Sequence, residues 1–224
     1  MFEGLVLLTD AAEQVALSRI LRGYRQSLAI RATSDVDGLR NIETSFLRNA
    51  RLVAFASSAI VPADMLARLG HGAYNFHPGP PNYPGWAPAH FALYDCADEF
   101  GVTFHAMTER VDAGQIFDVV SFPIERGATV LGLGELTYLH LLQLFEVWAE
   151  HLATEPSLRP HRTIPWSGHT NTRRKYRNAC EIPLDISRDE LLRRMRAFGG
   201  NHYGMSPTIN LHGVTFTATS PEIS

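Results

Sequence analysis

The stretch GAYNFHPGPPNYPGWAPAHFALY, residues 72–94, holds Pro78, Pro80, Pro81, Pro84 and Pro88, out of 13 prolines in the whole chain. GAYNFH (72–77) reads as a strand and the segment 88–97 as a helix, with a rigid, glycine-punctuated loop between them. Asn75 and His77 are two apart on an extended chain, so they project to the same side. They also stand at the carboxyl end of that strand, where open α/β sheets bind their ligands.

Working outward, the segments before the loop alternate strand and helix. GLVLL (4–8) is a short continuous apolar run, as expected of a buried parallel strand. Thr9 and Asp10 offer N-cap oxygens to a helix over 11–22. SLAIRA (27–32) reads as a second strand and 36–47 as a second helix. RLVAFASSAIV (51–61) begins as a third buried strand, and Pro62 opens the helix PADMLARL. After the loop, GVTFHAM (101–107) and IFDVVSFPI (116–124) are strands joined by the turn TERVDAGQ (108–115), and 129–153 is a long helical pattern. The Pro-, Thr- and Ser-rich segment 154–172 is a connector. ISRDELLRRMRAF beyond it is a helix with a capping box at Ser187 and Glu190, and SPTINLHGVTFTAT is a hairpin turning at Gly213. This order predicts an α/β fold with a Rossmann-like, mostly parallel sheet flanked by helices. A short helix-plus-hairpin appendage follows, with domains at 1–155 and 156–224.

Composition narrows the function. The chain has 224 residues, 45% hydrophobic and 19% charged, with net charge −3. That is globular composition, and it does not advertise nucleic-acid binding. The basic clusters RRKYR (173–177) and RRMR (193–196) read as solvated faces. Cys96 and Cys180 form no CxxC pair and read as reduced, buried thiols, which favours a cytoplasmic setting. The N-terminal residues lack the pattern of a signal peptide, and no stretch has the length of a membrane span. No metal site is expected: HExxH, the P-loop, GxSxG and a GxGxxG after the first strand are all missing.

Asp112, in the VDAG turn between two later strands, can approach the same rim as Asn75 and His77. An amide, an imidazole and a carboxylate together suit acyl transfer without a covalent intermediate. The amide N–H donates to a developing oxyanion, the histidine moves the proton that an attacking amine must lose, and the carboxylate orients the imidazole and favours its charged form. The same residues also serve as ordinary loop caps and turn formers elsewhere.

The ordered blocks N-F-H-P-G-P-P-N-Y-P-G (75–85), G-V-T-F-H (101–105) and V-D-A-G-Q-I (111–116) resemble the signature of the 10-formyltetrahydrofolate-dependent formyltransferases. That family includes the glycinamide ribonucleotide, methionyl-tRNA and amino-sugar enzymes. The resemblance covers residues 51–125 well and the rest loosely. It implies that Asn75 holds the formyl oxygen, that His77 transfers the proton, and that Asp112 orients His77. It places a folate co-substrate, 10-formyltetrahydrofolate, against Phe55, Ala56, Ser57, Ser58 and Ile60 on one side and Val111 and Gly114 on the other. Tyr83, Gly85, Trp86 and His105 are the expected acceptor-side residues, with Trp166 a further wall. His105 stands either beside the chemistry or behind it.

Three departures bear on the acceptor. The proline loop is one residue shorter than the common form and reads P-G-P-P, closest to small amino-sugar N-formyltransferases. No glycine-rich turn follows GLVLL. The tail after 160 is too short and too little basic for a tRNA-binding barrel, so tRNA is not the expected acceptor. The expectation is an N-formyltransferase acting on a primary amine of a small molecule, an amino sugar nucleotide by preference, through a tetrahedral intermediate. Alternatives are a formyltetrahydrofolate hydrolase, a methionyl-tRNA formyltransferase-like enzyme, and a non-catalytic folate or sugar-nucleotide binding module. The apolar C-terminal hairpin either pairs with a second copy, giving a homodimer, or covers its own sheet.

Overall fold

The computed structural model describes residues 2–161 and 164–218. The expected connector includes 162–163 and the expected appendage runs to 224, and those parts lie outside the described residues. Six strands form one sheet: β1 (Gly4–Leu8), β2 (Ala29–Thr33), β3 (Ala50–Phe55), β4 (Ala73–His77), β5 (Glu99–Ala106) and β6 (Ile116–Pro123). Their spatial order is β2-β1-β3-β4-β5-β6. The first four are parallel, and β5 and β6 run antiparallel at one edge. The parallel strands β1 and β3 are buried on both faces, as their unbroken apolar runs require.

Each face carries its own helices. Helix α1 (Ala11–Tyr24) and the long helix α6 (Val130–Thr154) pack together over one face. Their core takes Leu5, Leu7, Val53, Phe55, Phe76 and Phe104 from the sheet. The alternate residues Val6, Leu8, Leu52 and Ala54 turn to the other face, beneath α2 (Val36–Arg40), α3 (Thr44–Leu47) and α4 (Ala63–Leu66). Beyond the antiparallel edge, α5 (Pro88–Tyr94), α7 (Arg173–Cys180) and α8 (Arg188–Phe198) share an aromatic cluster with Phe100 and Phe122. The Ser187 hydroxyl caps α8 by accepting from Glu190 N–H at 3.2 Å. Strands β7 (Thr208–Leu211) and β8 (Val214–Thr217) form a separate hairpin with exposed Val214 and Phe216.

Two expectations are corrected and one, the solvated RRKYR face, is met. The helix expected over 36–47 is two short helices, because Asn41 closes the first and Glu43 begins the second. The cluster RRKYR lies in helix α7, whose cations face out while Tyr176 is fully buried. Cys180 is buried but Cys96 is exposed, in a left-handed turn with φ 55° just past α5.

Candidate active site

Antiparallel pairing builds the site. Strand β5 returns beside β4 with Asn75 opposite His105 and His77 opposite Thr103. All four side chains leave the sheet away from Phe76 and Phe104, which stack in the core at 4.4 Å. The turn after β5 then carries Asp112 back over the pair. Its carboxylate Oδ2 is 3.3 Å from His77 Nδ1, and Oδ1 is 3.2 Å from His105 Nε2. A third partner is the Gly85 N–H, which donates to Oδ2 at 2.7 Å. Asp112 is non-glycine yet has φ 43°, a conformation that costs energy and recurs where chemistry demands a fixed position.

Burial alone would raise the pKa of Asp112. The charge of His77 and the hydrogen bonds from His105 and Gly85 outweigh it, so the carboxyl lies below its ordinary value. His77 is fully enclosed, and burial lowers its pKa; Asp112 and the Tyr83 carbonyl oppose that shift, while His105 adds to it. Its Nδ1 faces the carboxylate and its Nε2 lies 3.2 Å from the Tyr83 carbonyl. A neutral ring has one proton for these two acceptors. Charge favours placing it on Nδ1, toward Asp112, which leaves Nε2 with a lone pair that can take a proton.

His105 has a similar choice. Its Nδ1 is 2.8 Å from the Ala106 carbonyl, which can only accept, so Nδ1 carries a proton. Its Nε2 is 3.2 Å from both Asp112 Oδ1 and the Asn75 amide nitrogen. Nε2 cannot donate to the carboxylate and accept from the amide at once. With Nδ1 protonated, Nε2 donates to Asp112 only in the imidazolium form, and in that form the amide N–H of Asn75 is released. The Asn75 oxygen is buried with no partner among the described residues. The Asn75 nitrogen has two N–H groups and one contact among the described residues, to His105, so a second donor is free to hold a carbonyl oxygen.

Sequence reasoning assigned some residues to the wrong surface. Phe55 is a core residue whose ring meets Phe76 and Phe145, and its carbonyl is taken by the Thr9 hydroxyl at 2.9 Å. Tyr83 is buried against Phe100, and its carbonyl rather than its ring reaches the site. Gly85 sits at φ 90° with its N–H on Asp112, and a Cβ there would collide with the Asn171 carbonyl. It positions the carboxylate. Trp86 packs on Tyr203 and Tyr176 in the C-terminal cluster. Gly114 offers its carbonyl to the Trp166 indole N–H at 2.7 Å, and that indole lies edge-on to His105 and His77 at 5.0 and 6.1 Å. The connector holds Trp166 there by pairing with the proline loop: Ser167 and Gly168 N–H donate to the Pro81 carbonyl, and Asn171 N–H to that of Pro84.

Two features stand near the carboxyl ends of β3 and β4. On one side, Ala56, Ser57, Ser58 and Ile60 follow β3, and the turn bearing Val111 faces solvent. Ile60 and Val111 are both exposed apolar side chains, and Met107 packs on the cluster that contains Val61. Among the described residues no hydrogen bond takes up the N–H groups of Ser57, Ser58 or Ile60. Apolar side chains beside free backbone donors fit a flat ring with a polar edge. The second is a cavity of about 740 Å³, lined by Ala56, Pro78, His90, Glu135, Tyr138 and Tyr203 among others, with none of the four groups in its wall. Sequence reasoning missed this cavity and His90, because its walls come from distant segments.

Residues 45–136 match the family model described as Formyl transferase. The methionyl-tRNA formyltransferase of Listeria monocytogenes serotype 4a (strain HCC23) is 34% identical over 120 residues, which is 53% of this chain and 36% of that protein. The matched part thus spans little more than a third of that relative's length. Among solved structures, a sugar N-formyltransferase from Shewanella sp FDAARGOS_354 has a TM-score of 0.79 over 98% of this chain and 97% of that one, at 16% identity. An N-formyltransferase from Helicobacter canadensis, solved in complex with folinic acid and dTDP-3-aminofucose, has a TM-score of 0.68 at 16% identity, covering 95% of this chain and 85% of that one. These structural likenesses give the fold.

Proposed function

We propose that this chain, which carries a formyl transferase segment at residues 45–136, moves a formyl group from 10-formyltetrahydrofolate to a primary amine on a sugar nucleotide. The observation that carries the reading is the set Asn75, His77, His105 and Asp112, joined by contacts of 3.2–3.3 Å at the ends of β4 and β5. The folate supplies a formyl carbon bonded to nitrogen. Asn75 donates its amide N–H to the formyl oxygen as the amine attacks and negative charge develops there. His77 takes the proton the amine must lose, and Asp112 holds the resulting imidazolium. The same proton then serves the departing folate nitrogen, so the amide product forms with no net proton gain. The 56–60 and 108–114 loops would hold the folate, and the 740 Å³ cavity the acceptor.

A sugar acceptor is supported by the dTDP-3-aminofucose in the Helicobacter complex, with the cavity taking the sugar and leaving the diphosphate outside. The sequence relative keeps methionyl-tRNA as the second reading, and the exposed Arg173, Arg174, Lys175 and Arg177 of α7 are the cations it would use.

The test is a formylation assay over thymidine- and uridine-diphosphate-linked 3- and 4-amino sugars, with binding of 5-formyltetrahydrofolate measured by calorimetry. Asn75→Ala and His77→Ala should each lower kcat by roughly 10²- to 10⁴-fold while the folate still binds. Full activity in both would remove the assignment. Strongly salt-dependent binding of tRNA, with no amino sugar formylated, would favour the second reading.

A further inference from the structure

We propose that His90 is a specificity residue that reads an uncharged hydroxyl or amide group of the amine acceptor from the wall of the 740 Å³ cavity. The inference rests on the function proposed above and names what its acceptor site recognises.

His90 lies on α5 and is 4% exposed, yet neither ring nitrogen has a partner among the described residues. Native chains satisfy nearly all buried polar atoms, and each exception calls for a reason. Packing holds this ring in place. The rings of Tyr176, His202 and Tyr203 lie at 5.1, 5.1 and 5.5 Å, and Phe198 stacks at 6.4 Å. A side chain fixed on a helix and unspent toward a cavity is preorganised for a ligand. The backbone beside the cavity tells the same story: Ala87, just before α5, has φ 53° and Tyr203 has φ 56°, and both line it. Left-handed conformations of non-glycine residues gather at ligand sites.

The chemistry of the wall selects the group. Glu135 is the only Asp, Glu, Lys or Arg in the lining, so a diphosphate would meet like charge and no lysine or arginine. Burial, then the neighbouring His202, pushes His90 down to about 4, so the ring is neutral at pH 7. A neutral imidazole has one donor and one acceptor, which a hydroxyl or an amide matches and a phosphate does not. The cavity also reaches Ala56 and Pro78, at the ends of β3 and β4. Pro88 of that wall and His77 Nε2 flank Gly79, each within 2.7 Å of where a Cβ on it would stand, so the wall passes close to the proton-accepting nitrogen.

The experiment compares wild type with His90→Phe, which keeps an aromatic ring and removes both nitrogens. Acceptor KM is measured with the amino-sugar nucleotides of the formylation panel and with analogues that lack one ring hydroxyl. We expect His90→Phe to raise acceptor KM by roughly ten- to a hundredfold, to erase the preference for hydroxylated over deoxy acceptors, and to leave the Kd for 5-formyltetrahydrofolate within twofold. The free variant should melt higher than wild type, since an unsatisfied buried polar group has been replaced by an apolar one. An acceptor KM within twofold of wild type, or an unchanged deoxy preference, overturns the inference. If the variant does not fold, the ¹⁵N resonances of the His90 ring in wild type decide. They should move on adding acceptor and stay on adding 5-formyltetrahydrofolate, and no movement with acceptor overturns the proposal. A chain that formylates no amine or binds no folate fails at the function itself, and the role of His90 falls with it. A chain that formylates with His90→Phe unaffected loses only this inference.

Discussion

At the residue scale, Asp112 governs the site because it touches both histidines and a backbone N–H. Asp112→Asn keeps the shape and removes the charge, leaving His77 without the anion that holds its proton on Nδ1. Its kcat should fall by about a hundredfold or more, with the folate Kd unchanged. The pH profile follows from the directions of the shifts. Burial lowers the pKa of His77, so its neutral, proton-accepting form persists below pH 6.5. The acidic limb of kcat, which reports the bound state, should therefore have its midpoint below 6.5, and a midpoint at 7 or above would contradict the arrangement. For stability the sign is set by Asp112. Its folded pKa is depressed, so its contribution is present above the ordinary aspartate value of about 3.9 and is lost as pH falls through the folded pKa.

At the scale of elements, the proline loop and the connector act as one unit. Trp166 covers the two histidines, and the Asn171 backbone bonds to Pro84 and Trp86 hold it in place. Trp166→Ala should admit water to His77, weaken the burial that depresses its pKa, and move the acidic limb upward toward 6.5. A limb that stays in place would show that the indole does not enclose the ring. Much of this was legible in the sequence. The strand end bearing Asn75 and His77 announced itself through two-residue spacing and a stiff loop, and the VDAG turn through its glycine. His105 joined the set only through the β4–β5 register, a long-range pairing that no local pattern encodes. Helix α7 was illegible for another reason: RRKYR has no apolar stripe, and Tyr176, with Cys180 one turn on, anchors it in an aromatic cluster built from α5 and α8. Phe55 misled because strand alternation sends it to the opposite face from Ala54, the residue that pairs with Asn75.

At the scale of the whole molecule, distant segments tie the sheet to its helices. Arg51, at the start of β3, is fully buried, and burial lowers its pKa to about 10. Its guanidinium donates to the carbonyls of His151 and Glu155, where α6 ends, and lies over the Phe2 ring at 4.3 Å. Arg51→Met should strip the Glu155 carbonyl of its guanidinium partner, leave His151 only the Glu155 N–H, and cost about 2–4 kcal/mol, measured by urea unfolding. A loss under 0.5 kcal/mol would show that the helix end finds other partners. Among the described residues no helix is long and apolar enough to cross a membrane. Order of synthesis gives the connector a last consequence. The four polar groups all emerge by residue 112, but Trp166 and Asn171 emerge only later. A ribosome-bound chain of about 150 residues would already have its strands and an open, wet histidine pair. Competence would begin only when the connector folds back, so a segment made after all four polar groups sets the moment at which chemistry can start.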